Sequence, residues 1–424
     1  MVISPTHRYW FNRFEARPLA DGCYAVRDWL QPAGRVLGPE VVAGLQGRAL
    51  DLALFQYGFA RAALSSYGAP VAQNHLAGHS PDGGPGQENA VLFWQFPCRT
   101  EAAAWNAHAG LNCPRLIDDV MHVYLGLPWA TWIDKARNFA WGTEGAGVMQ
   151  QQLQLVGVQL SGLRRALSAL GVQLRVHSVC QHIYWFDLVP AWQKLGVTDL
   201  WLSHCPQAGA TLVSVPPVPL PDLGELQLHP WALYAVNVED PQRRAGLALG
   251  KDVDQRTILA SFVGAHMAHY LSDVRLQLQT LAGTPGFVVR VSGDWHFNTV
   301  VYQHQIAGQA LTPTPRLDAE VASYNQLLSD SVFALCPAGA GPNSLRLWEA
   351  LAVGAIPVLL GNQPVLPCGG TLAAVDWDRI VLRVADAQID QLPTLLKGMP
   401  LAERRERQVR GMEAYAAVKV QRCF

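Results

Sequence analysis

Residues 336–361, CPAGAGPNSLRLWEALAVGAIPVLLG, bring together residue types that can bind an anion. Gly339 and Gly341 stand on either side of one alanine in a turn that follows an apolar run. Asn343 or Ser344 can cap a helix that starts directly after the turn. Backbone N–H groups at a helix N-terminus favour phosphate, and a turn of small residues lets a ligand approach them closely. The residue types therefore predict a phosphate site at this turn.

Two charged residues lie on the helix that would follow the turn. Arg346 and Glu349 are three residues apart and so share one helix face. A capped connection with such a pair is also a common structural feature, so phosphate binding and a purely structural turn both remain open. A Walker-type loop is excluded because no Gly-Lys-Ser/Thr follows, and a dinucleotide fingerprint is excluded because the spacing is not GxGxxG.

The elements that must position this turn follow an alternating pattern. Short apolar runs, typical of buried strands, alternate along the chain with longer segments of helical periodicity. This alternation predicts an α/β fold with parallel sheets, in which ligands bind at the carboxyl ends of the strands. The predicted strands are 90–96, 122–129, 172–179, 199–204, 257–264, 287–293, 332–337, 356–361 and 379–384, and the predicted helices are 147–170, 271–282, 315–330 and 343–353.

Chain length and proline content indicate two domains. A chain of 424 residues exceeds one ordinary core. Residues 214–230 hold five prolines, which excludes a helix or an interior strand. We therefore expect two Rossmann-like domains and a charged C-terminal helix that packs back on the body. The expected boundaries are 1–215 for the first domain, 216–230 for a linker, 231–400 for the second domain and 401–424 for the helix.

Composition excludes several classes of function. Lys plus Arg (32) balance Asp plus Glu (33), so no net field would attract nucleic acid or an anionic membrane. The eight cysteines show no CxxC pair and no zinc-type Cys/His spacing, which predicts reduced thiols and no metal site. The sequence shows neither a signal-peptide pattern nor about 18 uninterrupted apolar residues. The expectation is a cytoplasmic protein with at most peripheral membrane association.

The stretch SVFALCPAGAGPNSLRLWEALAVGAIPVLL resembles the C-terminal signature of the exostosin family of glycosyltransferases. That signature runs S-x-F-x-L-C-P-x-G-x-G-x-x-S-x-R-L-x-E-A-L-x-x-G-x-I-P-V. The resemblance continues downstream through NQPVLP and VDWDRIVLRV, and upstream through RTILASFVGAHMAHYLSDVRLQLQTL. It covers about residues 256–395 and implies a bacterial, cytoplasmic member of the family.

The resemblance implies a GT-B fold, with two Rossmann-like domains facing each other across a cleft. It implies that Glu349 accepts hydrogen bonds from the ribose of a nucleotide-diphosphate sugar, and that Ser344, Arg346 and the amides of 339–344 hold the diphosphate. Family members usually have an arginine where this chain has Ala338. The missing contact would come from another residue, for instance Arg256 or Arg275. The predicted donor-binding residues are Arg256, Gly264, Arg275, Gly339, Gly341, Asn343, Ser344, Arg346 and Glu349.

Inverting transfer requires a general base in the first domain, close to the acceptor hydroxyl. His204 and His182 follow predicted strands and are the first candidates, with Asp199 and Asp134 as alternatives. Other residues near predicted cleft edges are Trp185, Trp201 and Trp295, which could stack on sugars, and Asp294 and His296, which could line the donor site. Asp376 in the DWD segment is interpreted as a turn residue, because transferases of this kind need neither a metal nor another cofactor.

The leading hypothesis is an inverting, metal-independent glycosyltransferase. It would transfer a sugar from a UDP-linked donor to a glycan or lipid-linked glycan in bacterial surface polysaccharide synthesis, such as lipopolysaccharide or capsule. Two alternatives stay open: a nucleotide-sugar epimerase of the same two-domain shape, and a catalytically silent sugar-binding protein. The residues do not name the sugar, the linkage or the acceptor.

Overall fold

The computed structural model describes residues 7–11, 13–29, 34–59, 99–109, 115–138, 143–207, 218–293, 315–361 and 364–421. The predicted strand 90–96 and the candidates Asp294, Trp295 and His296 lie outside the described residues. Within the described ranges, the strands form one four-stranded sheet and two five-stranded sheets.

The first sheet is antiparallel, with its four strands in sequence order. Its strands alternate buried and exposed residues and are joined by short connections, which is typical of hairpins and leaves no room for a helical crossover. This part of the predicted Rossmann-like domain 1–215 therefore forms a separate antiparallel layer. The elements are β1 (Arg8–Trp10), β2 (Phe14–Pro18), β3 (Tyr24–Asp28), β4 (Arg35–Leu37), α1 (Pro39–Val42) and α2 (Gly47–Leu54).

The second sheet has the order β5-β6-β7-β8-β9, in which β5 is antiparallel to β6 and the other pairs are parallel. Its strands are β5 (Arg115–Ile117), β6 (Val120–Tyr124), β7 (Gln173–Cys180), β8 (Asp199–Leu202) and β9 (Gln227–Pro230). The helices in this part of the chain are α3 (Thr100–Ala109), α4 (Trp129–Asn138), α5 (Thr143–Ser168) and α6 (Val189–Leu195).

Two boundaries of the second sheet differ from the sequence prediction. The predicted strand 122–129 ends at Tyr124, and helix α4 starts at Trp129, directly after a proline that suits the start of a helix. Strand β9 lies inside the predicted linker 216–230 and pairs with β8. It is an edge strand, where proline is tolerated because one side of the strand needs no ladder partner.

The third sheet is entirely parallel, with the order β11-β10-β12-β13-β14. In its register Ser261 pairs with Ala334, and Cys336 pairs with Leu359. Its strands are β10 (Ile258–Ala265), β11 (Phe287–Ser292), β12 (Ser331–Pro337), β13 (Ile356–Leu360) and β14 (Leu382–Val384). The helices are α7 (Val236–Glu239), α8 (Val274–Leu278), α9 (Pro315–Asp330), α10 (Leu345–Val353), α11 (Leu392–Gly398) and α12 (Leu401–Val420).

The α/β class with parallel sheets, predicted from the alternation of strands and helices, is confirmed. One predicted helix, 271–282, is shorter than expected: α8 is followed by the 3-10 turn Gln279–Leu281. No helix in the described ranges is both long and apolar enough to span a bilayer.

Buried side chains connect these layers. Arg13, in the turn between β1 and β2, pairs with Asp28 of β3 and donates to the carbonyl oxygen of Gln159 on α5 at 2.7 Å, so it fixes the antiparallel layer to that helix. At the other end of the chain, Tyr415 of α12 belongs to the same apolar cluster as Trp348 of α10. The C-terminal helix thus packs on the third sheet's domain.

Candidate functional site

The glycine-rich turn connects β12 to α10 at the carboxyl end of the third sheet. It is held tight because the amide of Ala338 donates to the carbonyl of Leu360, and the amide of Gly339 donates to the carbonyl of Gly341, both at 3.0 Å. Ser344 occupies the N-cap position, yet its side chain makes no capping hydrogen bond. The first-turn amides of α10 are therefore left uncapped by that hydroxyl, as an anion site requires.

Arg275 lies directly against this turn. Its Nε donates to the carbonyl oxygen of Ala338 at 2.9 Å, and its Nη1 donates to that of Ala265 at 2.7 Å. A Cβ atom built at Gly339 would lie 2.8 Å from Nη2, so this glycine makes room for the guanidinium. Burial, together with the nearby charge of Arg346, lowers the pKa of Arg275 to about 10, and the group stays cationic at neutral pH. Arg275 thus brings a positive charge to the position where Ala338 lacks one.

Arg256, the other arginine predicted to contact a diphosphate, lies elsewhere. It precedes β10 at the amino end of the sheet, and its guanidinium donates to the carbonyl oxygens of Ser331 at 2.9 Å and Val353 at 2.6 Å. Val353 is the last residue of α10, whereas the turn precedes the first. The structure therefore does not bring Arg256 to the turn, and its donors hold the ends of two elements together.

Arg346 lies between two aromatic rings. Its Cζ is 4.4 Å from the ring centre of Phe262 and 5.7 Å from that of Tyr324, and its Nη2 donates to the carbonyl oxygen of Val263. Gly264 of β10 lies beside the guanidinium: a Cβ atom built there would be 3.4 Å from Nη2, an ordinary contact distance, and 3.1 Å from Cζ of Phe262. The guanidinium therefore lies near the carboxyl end of β10, and the turn leaves the carboxyl end of β12.

Glu349 is almost completely buried, with 2% of its surface exposed. One carboxylate oxygen accepts from the hydroxyl of Tyr324 at 2.7 Å, and the other accepts from the amide of Asn237 at 3.3 Å. Burial raises the pKa of Glu349, and these hydrogen bonds and the charges of Arg346 and Arg243 oppose that rise. The sequence analysis missed Tyr324 and Asn237, because nothing in their local sequence links them to a residue 25 or 112 positions away.

Asn343 joins the turn to the second sheet. Its Nδ2 donates to the carbonyl oxygen of Ser203, just after β8, at 2.8 Å, and its Oδ1 accepts from the indole of Trp348 at 2.9 Å. The side chain predicted to bind the donor is therefore engaged in a contact between the turn and the segment that follows β8 of the second sheet. The carboxyl end of β8 and the turn consequently face each other.

His204 follows Ser203 and packs on Gly341. A Cβ atom built at this glycine would lie 2.4 Å from Nδ1 of His204 and 2.8 Å from a methyl group of Ile183. The Nδ1 atom is buried and has no hydrogen-bond partner among the described residues. Burial, with a smaller effect of His182, lowers the pKa of His204 to about 3, so the ring is neutral at pH 7. Gly341 is thus required for the close approach of this imidazole.

The other predicted bases are more constrained. Nδ1 of His182 accepts from the amide of Tyr184 at 3.0 Å, so Nε2 carries the proton and donates to Asp134 at 2.9 Å. Asp199 is the first residue of β8 and lies at the opposite end of that strand from His204. Burial would raise its pKa, but hydrogen bonds from His229 and Arg175 outweigh this and hold the pKa of Asp199 below its usual range. Of these four candidates, His204 is the one whose side chain lies against Gly341 of the turn.

Glu101 is a buried acid that the sequence analysis did not identify. Its carboxyl group accepts from the amides of Ala130 and Gln181, each at 3.1 Å, beside the end of β7. Burial raises the pKa of Glu101 to about 8, because the two amides compensate only part of the desolvation. In the sequence, TEAAAW reads as an ordinary helix start, with a glutamate in its first turn as expected.

The remaining candidates make contacts that are typical of structural residues. Trp185 is 1% exposed and belongs to the core, whereas the half-buried Trp201 is stacked by His229 at 4.3 Å between ring centres. Asp376 caps a 3-10 turn by accepting from the amide of Asp378 at 3.2 Å, as expected for a turn residue. In the part of the chain that the structure describes, no three His, Cys, Asp or Glu side chains converge as metal ligands would.

Comparison with known proteins finds a family model that matches the region around this site. Residues 236–399, which contain the turn, Arg346 and Glu349, match the Exostosin GT47 domain. The probable glucuronosyltransferase Os01g0926400 of Oryza sativa subsp. japonica is 38% identical over 82 residues, which is 19% of either chain. The probable beta-1,4-xylosyltransferase IRX10 of Arabidopsis thaliana is 36% identical over 78 residues, which is 18% of either chain. Exostosin-1 of Drosophila melanogaster is 38% identical over 81 residues, which is 19% of this chain and 10% of that protein.

These matches confirm the resemblance to exostosin-type glycosyltransferases over the C-terminal part of the chain. They span about a fifth or less of the length of these curated relatives. The relatives come from plants and an insect, so nothing among them indicates the bacterial origin expected from the sequence.

Two solved structures align with more of the chain. An α,α-trehalose-phosphate synthase (UDP-forming) from Burkholderia vietnamiensis covers 67% of it at 13% identity, and a GtfA/B complex covers 63% at 10% identity. The TM-score is 0.32 in both cases.

The contact between Gly341 and His204 predicts a coupled effect on stability. We expect Gly341→Ala to lower the free energy of unfolding by about 1–3 kcal/mol, because the new methyl group collides with the imidazole. Adding His204→Ala should recover part of this loss, so the two changes are less than additive in a double-mutant cycle of urea unfolding. Gly398→Ala is the control, since a Cβ atom there meets nothing within 4 Å. Strict additivity of the two changes would contradict the contact.

Proposed function

We propose that this chain is an inverting glycosyltransferase that binds a nucleotide-diphosphate sugar at the turn 339–344. The observation that carries the proposal is the grouping of Arg275, Arg346 and Glu349 around an uncapped helix N-terminus. The match of residues 236–399 to the Exostosin GT47 domain supports the same assignment. Gly339 and Gly341 then serve this site by leaving space for Arg275 and His204.

The proposed reaction is a single displacement. The acceptor oxygen forms a bond to the anomeric carbon while the bond from that carbon to the diphosphate oxygen breaks, and the acceptor proton passes to a base. The nucleoside diphosphate leaves with the released negative charge. The helix dipole of α10 and the guanidinium groups of Arg275 and Arg346 would stabilise that charge in a site shielded from water, which is why no metal or other cofactor is proposed.

The base would come from the carboxyl end of the second sheet. His204 is the first candidate because its ring lies against Gly341 of the turn. His182 is the second, since its lone pair on Nδ1 is already used by the amide of Tyr184. Residues of the second sheet would also bind the acceptor, which we propose to be a glycan or a lipid-linked glycan.

The names of the chain's relatives support a first choice of donor. Two proteins similar to part of this chain bear the names probable glucuronosyltransferase and probable beta-1,4-xylosyltransferase, so UDP-linked glucuronic acid and UDP-linked xylose are the first donors to test. We propose a role in polysaccharide synthesis, with a bacterial surface polysaccharide as one candidate product. An epimerase would use the same donor without an acceptor, and a silent binding protein would bind the donor without turnover.

The test combines a binding screen with an assay of product release. Among nucleotide sugars, we expect UDP-linked donors to raise the melting temperature, since a ligand at 100 times its Kd adds about 2.7 kcal/mol of stability. UDP should then be released only when an acceptor glycan is present, and EDTA should not stop this release. Conversion of the donor without an acceptor would indicate the epimerase, and binding without turnover would indicate the silent protein. Loss of activity in EDTA that manganese or magnesium restores would contradict metal independence.

A further inference from the structure

The carboxylate of Glu349 is held from two different elements. Tyr324 of α9 donates its hydroxyl to Oε2 at 2.7 Å, and Asn237 of α7 donates its amide to Oε1 at 3.3 Å. A carboxylate has about four lone-pair sites, so each oxygen retains one for a further donor. The two hydrogen bonds fix the plane of the carboxylate and hence the direction in which the remaining lone pairs point.

We propose that Tyr324 is a positioning residue, whose hydroxyl holds the Glu349 carboxylate in the orientation that accepts hydrogen bonds from the donor's ribose. The proposal rests on the function proposed above. It assigns a role to a residue of α9, whereas the glycine-rich turn leads into α10. Its ring lies 5.7 Å from the Arg346 guanidinium, so Tyr324 borders both the acidic and the basic member of the site.

The contacts of the other carboxylate oxygen, Oε1 of Glu349, show why Tyr324 is the partner that a substitution can remove. Asn237 donates from its backbone, and its side chain is held in turn by Arg243, whose Nε donates to Oδ1 at 2.8 Å. That side of the carboxylate is therefore fixed by main chain. The hydroxyl of Tyr324 is the side-chain donor to Glu349 and can be removed without disturbing the backbone.

Removing this hydroxyl should weaken the proposed hydrogen bond between Glu349 and the ribose of the donor. In Tyr324→Phe the ring and its packing remain, but Oε2 of Glu349 loses its partner, and the carboxylate can turn about the backbone hydrogen bond that still holds Oε1. A hydrogen bond to a charged group is worth enough that UDP should bind about tenfold more weakly. Because the contact is equally present before and during transfer, the KM for the donor should rise while kcat stays close to that of the wild type.

The experiment measures the Kd of UDP, 2′-deoxy-UDP and 3′-deoxy-UDP by calorimetry for the wild type and for Tyr324→Phe. The wild type should lose affinity when the hydroxyl that contacts Glu349 is missing. Tyr324→Phe should lose several-fold less upon the same change, because its Glu349 is no longer oriented to accept that hydrogen bond. The coupling between the protein change and the ligand change separates positioning from a general loss of structure, because a general loss would weaken the binding of all three ligands equally.

Tyr415→Phe is the matched control. Tyr415 donates its hydroxyl to Glu239 at 2.5 Å in the same domain, and it lies on α12 rather than beside the turn. This variant should bind all three ligands as the wild type does. If the wild type binds UDP but the preference for UDP over each deoxy ligand is the same in Tyr324→Phe, the positioning role is wrong and the proposed donor site stands. If the wild type does not bind UDP or other nucleotides at all, the proposed function itself is wrong.

Discussion

Replacing Arg346 by alanine is expected to weaken donor binding tenfold to more than a hundredfold while the protein stays folded. The guanidinium lies between Phe262 and Tyr324, at the start of a helix whose amides are not capped by Ser344. A hydrogen bond to a charged group is worth about 1.5–3 kcal/mol, which corresponds to this range of affinity. Glu349→Ala should lose donor affinity to a similar extent, since it removes the proposed ribose contact. Isothermal calorimetry with UDP measures both effects.

A second arginine of the same domain serves as the control. Arg404 lies 5.7 Å from the ring centre of Phe333 and donates to the carbonyl oxygen of Leu396 at 2.9 Å. It thus makes the same kinds of contact as Arg346 without bordering the turn. Arg404→Ala should bind UDP like the wild type. If Arg346→Ala and Glu349→Ala also keep wild-type affinity, the donor site lies elsewhere in the molecule.

Local sequence was sufficient to predict most of the third sheet. Its strands are short, apolar and separated by glycine or proline, and each helix between them has a recognisable start, so β12, the turn and α10 lie where the pattern placed them. The apolar run 122–129 was misleading because buried strand residues and the first residues of a buried helix are equally apolar. Burial alone does not distinguish them, and the proline before Trp129 decides the boundary.

The contacts that shape the site could not be predicted, because they join residues that are distant in sequence. The hydroxyl of Tyr324 donates to Glu349, which is 25 positions away in the sequence. The side-chain amide of Asn343 donates to the carbonyl oxygen of Ser203, which is 140 positions away. The sequence suggested that Gly341 leaves room for a phosphate. In the structure its missing side chain leaves room for the ring of His204, which no local pattern could indicate. Arg256 and Arg275 looked equivalent in sequence and differ only in which end of the sheet they reach.

The contact of His204 with the turn determines how this residue would act as a base. Burial lowers its pKa to about 3 in the absence of donor, so its ring is neutral but only weakly basic. A diphosphate bound at the same turn adds negative charge, which favours the imidazolium and raises this pKa. A general base is most efficient when its pKa lies near the working pH. Donor binding would therefore make His204 a stronger base than it is in the free protein.

His204→Ala is accordingly expected to lower kcat by about 10²–10⁴, the usual contribution of general acid–base catalysis, with little change in donor affinity. In the wild type kcat should fall as the pH is lowered through the pKa of His204 in the donor complex, because the protonated ring cannot accept the acceptor's proton. This acidic limb should be missing from the residual activity of the variant. His229→Ala is the control, since this histidine of the neighbouring strand pairs with Asp199 at 2.9 Å, at the other end of β8. If His204→Ala and His182→Ala both turn over at the wild-type rate, the base is a carboxylate, and Asp134 is the next residue to replace.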